Sequence, residues 1–401
     1  MPIAARPEVR LSLVWFLYMA GFGLYFPYWS LYLKDNAGLP EAQAGMVIAV
    51  LSLMGILAQP FWGQIADRTG SRTRVLTVAA LGSALGLCVL WQARGFLPLL
   101  AANALFAGFH TAVLPMAVAV TLASLREGSR HAFGIVRCIG TVGFVLTAWS
   151  FPRVLDAVQA ARGWAPEPGG PREPGLELLF PTAAAITLCA AAVTLWLPRT
   201  GAVSLRAERG DWRALARHRP YLRIAALCGA AYLFTHGPML FFPQLVMARG
   251  GSLATVSNLW LPMIALEIPG LALSGVLVQR LGARGLIAVG LFAGGLRWAL
   301  CGFAPSMGVL YASSFLHGVT IAGLGMGAPL YVESVVPEKL RATGQGLLAT
   351  CVHLGAMLSS ALTGVVAGRF GIDVPYQVGG LAALALALLV PTILPPPRRP
   401  D

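Results

Sequence analysis

Acidic residues are scarce in this chain. Asp and Glu total 16 against 29 Lys and Arg in 401 residues, and charged residues of both signs make up only 11%. A soluble domain carries roughly 25%, so a surface wetted over most of its area is excluded. Signatures of catalysis are also missing. There is no HExxH, no GxSxG and no phosphate loop ending in GK plus Ser or Thr, which argues against a membrane enzyme and against a pump with its own nucleotide domain. No segment is left over for a signalling domain. The six cysteines (Cys88, Cys138, Cys189, Cys228, Cys301 and Cys351) lie in apolar segments without metal spacing, so neither a disulfide framework nor a zinc site is expected. No catalytic residue, metal or cofactor is implied.

Long apolar runs are abundant. Apolar residues make up 57% of the chain and the mean hydropathy is +0.72. Runs of about 20 apolar residues, each enough to cross roughly 30 Å of hydrocarbon, recur along the whole length. Breaks at charges, Pro and Gly predict six spans near 11–33, 43–65, 74–93, 97–122, 132–155 and 176–197. Six more follow near 221–246, 253–278, 285–304, 307–332, 344–368 and 375–394. The first is too long for a signal-peptide core and is read as a retained helix.

The net charge of +13 sits in short loops rather than on one patch, which fits membrane topology and not nucleic acid. On one side of the spans lie 20 of the 29 basic residues and on the other 7, with Arg137 and Arg297 inside spans. The positive-inside rule then places both termini and the central loop in the cytoplasm. The expected domains are an N-terminal bundle over 1–197, an Arg-rich linker over 198–220 that is solvated near lipid headgroups, and a C-terminal bundle over 221–401. Segment 156–175 is rich in Pro and Gly and predicts an irregular external loop.

One loop occurs twice. Residues 63–74 read GQIADRTGSRTR, with Gly63, Asp67, Arg68, Gly70 and Arg72 at offsets 0, 4, 5, 7 and 9; from Gly275 the same offsets give Gln279, Arg280, Gly282 and Arg284. A basic loop duplicated between apolar helices indicates two related halves in a membrane. Gly63 is expected to permit close helix approach, Asp67 to accept hydrogen bonds from a helix N-terminus, and the arginines to anchor at the lipid surface. Gln279 replaces the acid in the second copy, so the two loops are not equivalent.

This loop, at these two places, resembles the signature of the major facilitator superfamily. That resemblance implies an all-α membrane protein of about twelve transmembrane helices in two pseudo-symmetric six-helix bundles. It also implies that the Gly63–Arg72 cluster latches the cytoplasmic side. Four further segments, GLYFPYWSLYLK (23–34), FGIVRCIGTVGF (133–144), LRW (296–298) and FLHG (315–318), resemble the phenylpropionate permease group, with the lactose permease and nucleoside–proton symporters as relatives. Uptake of a small solute with a proton is what this neighbourhood implies, at a bacterial-type inner membrane and in a fold that can work as a monomer. An efflux antiporter is the alternative. The lactose permease's sugar-binding Arg aligns with Arg137 and its Trp with Phe144. Its fourth-helix Glu has no counterpart near Ala119, and Thr320 replaces a carboxylate after the tenth-helix His, so galactoside recognition does not carry over.

Ionisable groups inside spans mark function by default, since each costs roughly 2.5–3.5 kcal/mol at a helix centre. Glu267 is the one acid deep in a span, and Arg297 and His317 fall at comparable depth on the next two helices. Glu267 and His317 are the candidates for proton coupling. Arg137 and Arg297, which stay charged, are candidate substrate anchors, with Thr141, Phe144 and Tyr25 as further contacts. Two arginines against one carboxylate suit a small monoanion. A purely structural Glu267–Arg297 pair is the competing reading, and snorkelling is the competing reading for Arg137. His110, His236 and His353 are read as packing histidines. Asn103 and Gln59 are expected to line a cavity or to bond neighbouring helices, and Tyr18, Trp29 and Trp298 to form an aromatic wall or pack.

Overall fold

The computed structural model describes residues 7–125, 130–166, 172–198 and 211–396. Two compact units divide the chain, within Met1–Ser204 and Leu205–Asp401. Among the described residues, eleven helices are long and apolar enough to cross a membrane. In the first unit these are Glu8–Asn36, Glu41–Thr69, Arg72–Gln92, Phe96–Ser124, Ala132–Arg162 and Leu176–Thr194; in the second, Arg219–Ala248, Val276–Phe303, Met307–Val335, Thr343–Phe370 and Val374–Ile393. The run Val276–Phe303 is kinked at Gly282, so its first residues end the eighth span and the rest form the ninth.

The twelfth expected span, the eighth in order, is present but not continuous. Leu253–Ala265 ends at Leu266, and a short helix, Glu267–Ala272, follows. Pro269 explains the break: it offers no N–H to the carbonyl of Ala265, and its ring crowds that carbonyl. Helical bonding resumes with Gly270 N donating to Leu266 O at 3.0 Å. The tenth span is interrupted too, at Phe315, between Met307–Ser314 and Leu316–Val335. Here the hydroxyls of Ser313 and Ser314 both donate to Leu310 O, at 3.1 and 2.7 Å, a back-bonding that bends helices.

Each unit has its own core. In the first, Leu11, Val14, Leu76, Val113 and Val120 pack around Trp15, whose Nε1 donates to Thr121 Oγ1 at 2.9 Å. In the second, Ile224, Ile287, Val332 and Val390 pack around Tyr221 and Tyr331, whose hydroxyls donate to Gly344 O and Pro395 O. Lipid supplies no hydrogen bonds, so these three buried donors are satisfied by acceptors elsewhere in their own unit.

The duplicated loop has a backbone reason for its shared glycine. Gly70 and Gly282 have φ of +63° and +65°, the left-handed region where a Cβ is costly, and each turns the chain from one span into the next. Gly63 departs from expectation: a Cβ there meets nothing within 4 Å among the described residues. Two other expectations need correction. Residues 156–162 are helical, because the fifth span runs on to Arg162. The linker holds a short helix, Asp211–Leu215, whose Leu215 is buried in the second core. Its residues 199–210, like Arg126, lie outside the described residues.

Candidate functional site

Within the second unit, the breaks in the eighth and tenth spans lie against each other, and the tenth brings His317 to Arg297. Glu267 is the first residue after one break, and His317 the second residue of the helix after the other. Gly318 lets the two helices touch, since a Cβ there would collide with Glu267 N and Leu266 C. The Gly318→Ala protein should therefore be destabilised by about 1–3 kcal/mol, the usual effect of overpacking. A lowered melting temperature of the purified protein checks this.

Arg297 is 1% exposed. Its guanidinium lies over Trp298 at 4.1 Å and Phe242 at 5.1 Å. Nη1 approaches His317 Nδ1 at 2.9 Å and Met239 Sδ at 3.6 Å, while Nη2 approaches Met263 Sδ at 3.5 Å. A guanidinium only donates, so His317 Nδ1 accepts and the imidazole is neutral with its proton on Nε2. Arg297 Nε is buried with no hydrogen-bond partner among the described residues. Arg297 thus contacts His317, where five donors meet one strong acceptor and two weak thioethers.

Arg297 and His317 open onto a cavity of about 190 Å3 in this unit. Trp298, Gly294, Thr320, Ile321 and Leu324 line it from the ninth and tenth spans. Tyr232, Thr235, His236 and Met239 line it from the seventh. Of these last four, His236 was expected to be a packing histidine and Tyr232, Thr235 and Met239 were not expected at a site, although their spacing of i, i+3, i+4 and i+7 is one helical face. Arg249 was also missed. It ends the seventh span and pairs with Asp373 Oδ1 at 2.6 Å, while donating to Ala304 O and Cys301 O. A cation on the last carbonyls of the ninth span is favoured by the helix dipole.

In the first unit Arg137 is half-buried, with Nη1 3.4 Å from Thr141 Oγ1 and its guanidinium 5.1 Å from the Trp15 ring. Phe144 is buried and packs near Phe22. Tyr25 is fully buried, and its hydroxyl donates to Asn103 Oδ1 at 3.0 Å. Asn103 Nδ2 and Gln59 Nε2 donate to the carbonyls of Val47 and Thr111, so all three bond neighbouring helices. Tyr18 and His110 pair at 2.9 Å. Asp67, Arg68 and Arg74 are exposed and Arg72 half-exposed. Among the described residues none of the four forms an ion pair.

The chain belongs to the MFS_1 like family, whose model matches residues 8–378. That membership makes it a multi-pass membrane transporter of the major facilitator type and not an enzyme. It is 26% identical to the maltose permease of Geobacillus stearothermophilus, over 96% of this chain and 95% of the permease. It is 23% identical to the "Probable 3-phenylpropionic acid transporter" of Escherichia coli (strain K12), over 96% and 97% of the two chains. Among solved structures, the nucleoside transporter NupG aligns with a TM-score of 0.75 at 17% identity, covering 96% of this chain and 98% of NupG.

Proposed function

We propose that this protein takes up a small organic monoanion together with a proton, by alternating access, with both termini in the cytoplasm. One observation carries the reading. Arg297 is a buried guanidinium beside a cavity, with Nε unpartnered and with His317 as its strongest acceptor. Such a charge is costly in a membrane, and a substrate carboxylate would supply the missing acceptors. Within the N-terminal unit, Arg137 with Thr141 is a proposed substrate contact of its own.

Glu267 and His317 are the proposed proton carriers. In the contact described above His317 accepts from Arg297; a proton on Nδ1 would turn that contact into donor against donor. Protonation would therefore free Arg297 toward a bound anion, which links proton and solute. Uptake of labelled aromatic acids, nucleosides and sugars into proteoliposomes under an inward proton gradient tests the proposal. Gradient-driven accumulation of an acid supports it. Expulsion driven by the same gradient would favour the antiporter.

The Gly63, Asp67, Arg68, Gly70 and Arg72 cluster is the proposed cytoplasmic latch. Helix-end electrostatics contribute about 0.3–1 kcal/mol, so Asp67→Asn should slow transport about two- to five-fold at unchanged expression. A wild-type rate in that protein removes Asp67 from the latch.

A further inference from the structure

The seventh span presents Tyr232, Thr235, His236 and Met239 to the cavity on which Arg297 and His317 open. Their hydrogen bonding is uneven. Thr235 Oγ1 and Thr320 Oγ1 donate back to Ala231 O and Leu316 O in their own helices. His236 and Tyr232 instead lie beside each other, ring centroids 6.0 Å apart. Among the described residues, neither ring nitrogen of His236 nor the Tyr232 hydroxyl has a hydrogen-bond partner. Polar side chains at membrane depth ordinarily find partners on neighbouring helices, as Asn103 and Gln59 do here. Two adjacent ones that keep their capacity free on a cavity wall are placed to meet a solute.

The rest of the lining fixes what that solute offers. Among the described lining residues Arg297 is the one permanently charged side chain, and it is a cation; Trp298, Met239, Ile321 and Leu324 supply apolar surface between the polar groups. A cavity of roughly 150 Å3 accepts a benzene ring, and this one is about 190 Å3. We infer that His236, assisted by Tyr232, is a specificity-determining residue that recognises a hydroxyl on the ring of an aromatic monocarboxylate whose carboxylate is held by Arg297. The imidazole suits this task because it offers one donor and one acceptor at once. This inference rests on the anion reading above and adds to it the second polar group of the substrate.

Isothermal titration of the purified full-length protein with benzoate, 3-phenylpropionate and their 4-hydroxy derivatives provides the test. In the wild type each hydroxylated acid should bind about ten-fold more tightly than its parent, the yield of one hydrogen bond. His236→Phe, which keeps the ring volume, should bring that ratio to about one and leave parent affinity within two-fold. His236→Asn should retain most of the ratio. Arg297→Gln should weaken all four acids alike. Equal wild-type affinity for parent and hydroxylated acids, with Arg297→Gln still weakening both, overturns the role of His236 and leaves the anion reading standing. A ratio unchanged in His236→Phe also overturns it. Failure of all four acids to bind the wild type overturns the anion reading, and this inference with it.

Discussion

An Arg297→Gln protein should lose at least about 100-fold in affinity for its anionic solute while melting no lower than the wild type. Hydrogen bonds to a charged group contribute about 1.5–3 kcal/mol each, so losing two at a carboxylate amounts to about 3–6 kcal/mol. At 1.4 kcal/mol per factor of ten, that exceeds 100-fold. Stability separates this role from a structural one. The guanidinium contacts a neutral imidazole, two methionine sulfurs and two aromatic rings. Removing a charge with that little compensation relieves roughly 2.5–3.5 kcal/mol on the insertion scale. A sharply lowered melting temperature with intact affinity would identify Arg297 as a packing residue. Arg297→Lys should resemble the Gln protein, because an ammonium has neither the planar fork nor the stacking face that Trp298 and Phe242 enclose.

The second large effect is expected from Glu267→Gln. One proton moving with one monoanion is electroneutral, so a gradient of one pH unit is worth about 1.4 kcal/mol. It can hold about a ten-fold accumulation of solute, beyond what protein-free liposomes show. In the Gln protein that accumulation should fall to about one, while exchange of labelled for unlabelled solute continues, since exchange needs no net proton movement. The position favours this role: Glu267 begins the helix after the break in the eighth span, and its backbone rests on Gly318, next to His317. If ten-fold accumulation survives in Glu267→Gln, the proton is carried elsewhere, with His317 the next candidate.

Much of the fold was legible because spans and loop charge are local properties. A run of apolar residues reads as a span whatever it packs against, and the glycine of the duplicated loop is demanded by backbone conformation at Gly70 and Gly282. The break after Ala265 was legible in principle from Pro269. The break at Phe315 was not, because a serine on a helix either back-bonds or bonds a neighbour, and the sequence pattern is the same. The site divided along similar lines. Arg297 and His317 stood out as ionisable groups at matched depth, and the structure joins them at 2.9 Å. Tyr25 looked like a solute contact, but a polar aromatic in a span serves equally well as a bond between helices, and its partner Asn103 is 78 positions away. His236 erred in the opposite direction. Its helical face was readable, but whether that face meets lipid, another helix or a cavity is decided by tertiary packing.

The central claim is that solute and proton move inward together through one site. Proteoliposomes carrying a luminal pH-sensitive dye, without an imposed gradient, test it most directly when a transported aromatic acid is added outside. Wild-type protein should acidify the lumen in step with acid uptake, beyond the change seen in protein-free liposomes, and Glu267→Gln should not. Acid uptake with no protein-dependent acidification, or alkalinisation of the lumen as acid enters, would contradict the account.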